Sequence, residues 1–257
     1  MQEFSFLKKF IRLLADESGA IIKQYYKTDI KIESKEDETP VTIADKKCEE
    51  RMRELIMKEF PDHGILGEEF GEFNPDAEYK WILDPIDGTK SFICGVPLFG
   101  TLIALLKNGE PILGAINHPA LNEFIIGDNV SAECNGKPVK IKFNGNLSEA
   151  VLLTTDHNNV SKYRDASGFE MLTKMVKLYR TWGDCYGYSL LAQGYADIMI
   201  DPMMSKWDLA ALIPVVRGAG GKISDFYGND PMKGDSIVAS NNLLHPKIIK
   251  ILNPSNN

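Results

Sequence analysis

Residues 81–92 read Trp-Ile-Leu-Asp-Pro-Ile-Asp-Gly-Thr-Lys-Ser-Phe. An apolar run ends in two carboxylates, Asp84 and Asp87, with Pro85 between them and Gly88-Thr89 straight after. The pattern predicts a strand that stops at Asp84, a turn, and a helix beginning near Gly88. Both acids then lie between the carboxyl end of a strand and the amino end of a helix. Like charges forced together repel, so such a pair calls for a cation between them. A helix amino end presents unpaired backbone N–H groups, which suit an anion such as phosphate. One short stretch therefore has room for a divalent metal beside a phosphate. Asp-Pro and Asp-Gly are also ordinary turn formers, so the stretch alone leaves both readings open.

The totals narrow the field. A chain of 257 residues is one large domain or two small ones, ample for a buried core. Hydrophobic residues make up 44% and charged residues 25%, the balance of a globular protein. A net charge of -7 with no long basic cluster argues against nucleic acid or an anionic membrane as the main partner. A phosphorylated substrate is still compatible, because bound metal reverses the local sign. Cys48, Cys94, Cys134 and Cys185 are scattered without a C-x-x-C pair, which fits a reducing compartment and neither a zinc site nor a disulfide framework. No apolar stretch is long enough for a bilayer, and the amino terminus shows no signal-peptide apolar segment. The expected location is the cytoplasm.

Along the chain, residues 4–26 have the apolar spacing of an amphipathic packing helix. Residues 27–40 read as an exposed loop with a short extended segment at 30–32, and Lys35 lies within it. Thr42-Ile43-Ala44-Asp45 opens a second helix running to about Phe60, with nearly the spacing of a capping box, which gives Asp45 a local role. His63 is expected in a solvent-facing loop. Ile65-Leu66 forms a short strand, Gly67-Glu68-Glu69 follows at its end, and 71–78 reads as a polar loop. A second acidic pair thus stands one loop before the first. Acids gathered at neighbouring strand ends make oxygen-only metal sites of the kind magnesium prefers.

From Gly100 the pattern turns to hairpins, with Asn-Gly turns at Asn108-Gly109 and Asn135-Gly136 and strands expected at 101–106, 111–116, 123–127 and 139–143. His118 lies before Pro119 in a loop and is given a structural role. Beyond about residue 145 helix and strand alternate. Strands are expected at 151–154, 177–179, 196–200, 222–224 and 236–239, and helices at 169–176, 186–192, 206–217 and after His245-Pro246. The division predicted is an N-terminal α+β subdomain at 1–145 carrying the metal motifs and a smaller α/β subdomain at 146–257. Trp207-Asp208, at the start of the helix 206–217, is a third acidic feature, ordinary there as a favourable dipole partner.

Gly67-Glu68-Glu69, Asp84-Pro85-Ile86-Asp87-Gly88-Thr89 and Trp207-Asp208-Leu209-Ala210-Ala211 with Gly218-Ala219-Gly220-Gly221 stand in one order. Together with Thr42-Ile43-Ala44-Asp45 they resemble the motif set of the inositol-monophosphatase-like magnesium-dependent phosphatases, over almost the whole chain. The resemblance implies an α/β fold of the sugar-phosphatase type, a five-layer αβαβα sandwich with a large mixed or antiparallel sheet and a smaller C-terminal α/β part. It implies two to three Mg2+ ions. Glu68, Asp84 and the Ile86 carbonyl would hold the first metal, Asp84, Asp87 and Asp208 the second, and Glu68 with waters a weaker third. Thr89 and Asp45 would position and deprotonate the attacking water, displacing the capping role of Asp45, and Gly88 and Thr89 would bind phosphate through N–H groups. Metals a few ångströms apart neutralise the transferring group, generate the nucleophile and stabilise the leaving oxygen. Lys35 matches a family lysine only loosely. The family also suggests a homodimer.

The leaving group is expected to meet the carboxyl-terminal half, at Thr181-Trp182-Gly183-Asp184-Cys185-Tyr186. In the inositol enzymes small neutral residues follow this glycine, and a Glu stands where this chain has Asp201. An acid gains charge-assisted hydrogen bonds from an ammonium or imidazolium but only neutral ones from a polyol. A cationic leaving group follows, with Gly183, Asp184, Cys185, Asp201 and Glu69 around it. The segment is similar to that of the histidinol-phosphate phosphatases of the family, enzymes of histidine biosynthesis. The rivals are a 3′(2′),5′-bisphosphate nucleotidase, whose anionic substrate wants basic side chains, and a broad inositol or sugar phosphatase. From another class comes a metal-binding regulatory protein without catalysis, against which Thr89 and Asp45 speak.

Overall fold

The computed structural model describes residues 2–29, 32–34 and 40–254. Helix α1 (Gln2–Tyr25) leads into a short antiparallel pair, β1 (Ile32–Ser34) with β2 (Pro40–Thr42), and α2 (Ile43–Glu59) follows. Next come β3 (Gly64–Gly67), β4 (Gly71–Phe73), β5 (Tyr79–Asp87) and the short helix α3 (Thr89–Ile93). A run of hairpins supplies β6 (Gly100–Lys107), β7 (Glu110–His118), β8 (Glu123–Gly127), β9 (Ala132–Cys134) and β10 (Lys137–Pro138). The remainder alternates: β11 (Val151–Leu153), α4 (His157–Tyr163), α5 (Ser167–Met175), β12 (Leu178–Arg180), α6 (Asp184–Ala192) and β13 (Ile198–Asp201). It closes with α7 (Lys206–Leu209), α8 (Leu212–Gly218), β14 (Lys222–Ser224), β15 (Ile237–Ser240) and α9 (His245–Leu252).

Strands β3 to β10 form one sheet in the order β10-β9-β8-β7-β6-β5-β3-β4, antiparallel except for the parallel pair β3 and β5. Strands β11 to β15 form a second, β12-β11-β13-β15-β14, in which β12, β11 and β13 run parallel. Strand alternation sorts the side chains into layers. On β5, Trp81 and Leu83 face α1 and α2, where they meet Leu7, Phe10, Leu14 and Met52. Ile82 faces the other way, into a core shared with α6, α8 and one face of the small sheet. The opposite face of the small sheet, Leu152, Ile198 and Val238, packs on Phe169, Leu172 and Ile248 from α5 and α9. The result is the αβαβα order expected. Close contact of the middle layer with the large sheet depends on Gly114, where a Cβ would stand 2.1 Å from the Ala211 carbonyl oxygen.

Several local expectations are corrected. The strand does not stop at Asp84 but continues to Asp87 through a bulge. Residues 71–73 are a strand, not loop; β4 is exposed throughout and is held by backbone pairing to β3, so it has no apolar period to reveal it. The strand expected at 139–143 is absent, and pairing ends at Pro138, whose ring nitrogen carries no donor. The helix expected over 206–217 breaks into α7 and α8 at Ala210–Ala211, where Pro214 offers no N–H to the carbonyl of residue 210. Helix α4 is unforeseen because Val160 is its single buried residue. His63 is not simply solvent-facing: it stacks between Phe60 and Tyr79 and accepts from the Trp81 indole at 3.1 Å. His118 ends β7 rather than lying in a loop; it is fully buried, with ring nitrogens on the Phe99 carbonyl and the Ser189 hydroxyl. Lys35 lies outside the described residues.

Candidate active site

The bulge in β5 is what puts two acids on one side. Asp84 stands opposite Leu102 and Asp87 opposite Gly100, so β5 spends one residue more than β6 over the same span. In an even ladder, residues an odd number apart point to opposite faces; one extra residue restores a common face. Pro85 cannot donate to the ladder, and its carbonyl accepts from the buried Thr101 hydroxyl at 2.9 Å. Gly88, at φ +84, turns the chain into α3. The Thr89 hydroxyl then donates back to the Ile86 carbonyl at 3.0 Å.

Two helix starts bring the other acids. Asp208 is the third residue of α7 and closes a capping box with Ser205, accepting from the Ser205 N–H at 2.7 Å. Asp45 holds the same position in α2, where one oxygen takes both the Thr42 N–H (2.8 Å) and its hydroxyl (2.6 Å). The capping role of Asp45 therefore stands rather than being displaced. Its other oxygen, Oδ1, is buried with no hydrogen-bond partner. A capping box thus orients each acid; Asp208 is thereby set into the cleft wall, whereas Asp45 is buried behind it and is not among the lining residues.

Asp84, Asp87 and Asp208 each place an oxygen within 4.8 Å of the others. Glu68, at the end of β3, has its carboxyl in hydrogen-bond contact with that of Asp84. Burial first, and then the charges of Glu68, Asp87 and Asp208, hold the Asp84 carboxyl well above the usual carboxylate range. Asp87 is raised in the same way, by burial and then by Asp184 and Asp208. Burial pushes Asp208 up to about 7 and Asp45 to about 6. The cluster is thus short of positive charge, and Asp84 Oδ1 is buried without a donor. An all-oxygen donor set with an orphaned carboxylate oxygen fits a hard divalent cation.

A cleft of about 910 Å3 opens from this cluster. Its far wall comes from the carboxyl ends of the parallel strands β11 and β12, the usual side for ligands on such sheets. Of the residues read from sequence, Glu68, Glu69, Asp84, Ile86, Asp87, Gly88, Thr89, Gly183, Asp184 and Asp208 line it. Asp184 begins α6 in a left-handed conformation (φ +49), its N–H on the Thr155 hydroxyl at 2.8 Å. Burial and then Asp201 raise its carboxyl to about 6, while Ser91 and Lys90 act in the opposite direction.

Two expected substrate contacts lie behind the wall instead. Asp201 is 4% exposed, with one oxygen on the Thr155 N–H (2.9 Å) and the other on the Tyr188 hydroxyl (2.8 Å). Cys185 is buried, and its N–H donates to Asp87. Sequence reasoning passed over Thr155, Asp156 and Asn159, which also line the cleft. The signal was available: Thr155-Asp156 is a polar pair directly after the strand expected at 151–154.

The sequence model of the inositol monophosphatase family matches residues 5–257. The chain is 40% identical to the histidinol-phosphatase of Chlorobaculum parvum, over 92% of each chain. It is 44% identical to the chloroplastic bifunctional phosphatase IMPL2 of Arabidopsis thaliana over 84% of its own length, and spans 63% of that longer protein. Among solved structures, an inositol monophosphatase from Zymomonas mobilis superposes with a TM-score of 0.85 at 34% identity, covering 95% of this chain and 96% of that one.

Proposed function

The chain belongs to the inositol monophosphatase family and is a phosphatase, and from that premise we propose that it hydrolyses L-histidinol phosphate, with Mg2+ as its metal. The observation that carries the substrate is the charge of the cleft. Seven carboxylates line it, those of Glu68, Glu69, Asp84, Asp87, Asp156, Asp184 and Asp208, against Lys90 as the one cation among the described lining residues. Four of the acids, Glu68, Asp84, Asp87 and Asp208, are assigned to metal. Two divalent ions balance those four, which leaves Glu69, Asp156 and Asp184 facing Lys90. That surplus of negative charge suits an alcohol bearing an ammonium and an imidazole, and repels an anionic one. The 40% identity to a protein named histidinol-phosphatase supports the same choice.

In this reading Glu68, Asp84, Asp87, Asp208 and the Ile86 carbonyl hold the metals, two to three in number. When bound, they supply charge neutralisation for the phosphoryl group and acidify water. The N–H groups of Gly88 and Thr89 hold phosphate oxygens at the start of α3. Thr89 positions the attacking water, and Asp45, whose Oδ1 has no hydrogen-bond partner, accepts the proton it releases. A carboxylate held near pH 6 suits that task, since it is ionised at neutral pH and still basic. Asp184 and Glu69 orient the cationic alcohol. Asp201 acts through Thr155, fixing the loop that carries Asp184.

The test is Mg2+-dependent phosphate release from L-histidinol phosphate, inositol 1-phosphate and 3′-phosphoadenosine 5′-phosphate. Two charge-assisted hydrogen bonds at about 1.5 kcal/mol each predict kcat/KM for histidinol phosphate about 100-fold above the neutral polyol. Equal rates would remove the substrate assignment, and preference for the bisphosphate would reverse it.

A further inference from the structure

Helix α2 carries a second buried acid one turn beyond Asp45. Glu49 is 0% exposed, and its carboxylate accepts from the Glu69 N–H at 2.7 Å, the Phe70 N–H at 3.2 Å and Arg53 Nε at 2.7 Å. Arg53 in turn donates to the Gly71 carbonyl. Every one of these backbone groups belongs to the turn that joins β3 to β4, closed by the Gly67–Gly71 pairing. On its other side the turn is tied to β5 through the Glu68 N–H and the Leu83 carbonyl, at 3.2 Å.

A hairpin turn at a sheet edge can leave such groups to water. Here they are spent on a buried carboxylate, which is costly unless fully paired. The sequence also gives up a side chain for it, because a Cβ at Gly67 would stand 1.9 Å from Glu49 Oε1. Packing of β4 does not account for the arrangement, since all three of its residues are exposed. What the turn does carry is Glu68 and Glu69, both in the cleft wall.

We infer that Glu49 and Arg53 are positioning residues for the metal centre: their buried pair fixes the turn 68–70 and so holds the Glu68 carboxylate ready for the cation. The inference rests on the reading of Glu68 as a metal ligand. A turn without this clamp has to be ordered when the metal arrives, so its loss weakens metal binding and leaves turnover at saturating metal largely intact. Outer partners of metal ligands are typically worth 10–100-fold in affinity.

The experiment measures Mg2+ binding to EDTA-stripped protein by isothermal titration calorimetry, beside the Mg2+ dependence of phosphatase activity. Glu49→Gln alone strands Arg53, so Glu49→Gln with Arg53→Met is compared, which removes both charges and is far better tolerated in a core. Circular dichroism melts establish that the variant is folded at the temperature used. Expected is a Kd for Mg2+ raised 10–100-fold, an equal shift in half-saturating Mg2+, and kcat at saturating metal within about threefold of wild type. A folded double variant with unchanged Mg2+ affinity overturns the inference, as does a lowered kcat with unchanged half-saturation. Glu68→Gln serves as the control for the premise. If its Mg2+ affinity equals that of wild type, the ligand reading itself fails, whatever the double variant does.

Discussion

Replacing Asp208 by Asn separates the cost of the acidic cluster from its use. With oxygens within 4.8 Å of one another, two ionised carboxylates repel by at least about 3 kcal/mol at an effective dielectric constant of about 20. The Asp208 carboxyl carries a cost of its own, from burial first and then from the charges of Glu68, Asp201 and Asp184. It is pushed up to about 7 from an ordinary 3.8, and at 1.36 kcal/mol per pH unit its ionisation costs the metal-free fold up to about 4 kcal/mol. The sign follows from proton binding. Between about pH 4 and pH 7 the folded state holds a proton that the unfolded state has lost, so stability falls as pH rises through that window. Asn retains an oxygen for the Ser205 N–H, so the cap survives. In EDTA at pH 8 the Asp208→Asn protein should therefore melt higher than wild type, by roughly 5–15 °C for a gain of about 2–4 kcal/mol. In 10 mM Mg2+ the order should reverse, because only wild type gains binding energy in full. Differential scanning calorimetry at pH 4, 6 and 8 reads both effects. A variant that melts at or below wild type in EDTA at pH 8, with wild type flat across pH, would refute the reasoning.

Three other substitutions probe the remaining parts. Asp45→Asn should lower kcat about 100- to 10,000-fold at saturating Mg2+ with little change in KM, and wild-type kcat should decline as pH drops through about 6; stopped-assay pH profiles of both proteins check this. Asp184→Asn should raise KM for L-histidinol phosphate about tenfold and leave inositol 1-phosphate within threefold, whereas equal losses on both substrates would mean that Asp184 does not read the cation. Tyr188→Phe should cost roughly 1–3 kcal/mol in urea denaturation, because it leaves a buried oxygen of Asp201 without its donor.

What was legible in the sequence was local or repetitive. The Asn108-Gly109 turn could be placed because a two-residue hairpin needs positive φ at both positions, and these have 50° and 83°. Helices α1 and α2 declared themselves by apolar period, and the αβαβα layering came with the family motifs. The bulge at Pro85 was not legible, since it is a register difference between β5 and β6 that neither strand specifies alone. Strand β4 was missed because backbone pairing leaves no mark on side-chain pattern. In the site, the acids gathered by motif do lie together. The direction in which Asp201 points was invisible, because it is set by Thr155 and Tyr188, neither of them its neighbour in the chain. Asp156 escaped notice for a different reason: an acid before a helix reads as a cap, and it is one, with the Asn158 N–H at 2.9 Å. As with Asp208, capping and lining the cleft are done by the same carboxylate.

The proposed mechanism requires a cation among Asp84, Asp87 and Asp208. Crystals grown with Mn2+ in place of Mg2+, measured on both sides of the manganese absorption edge, locate it directly. Anomalous peaks are expected inside this carboxylate cluster, with an Asp84 oxygen and the Ile86 carbonyl among the atoms nearest them. A cluster without a peak at Mn2+ concentrations that saturate activity, or peaks confined to other acids, would contradict the mechanism.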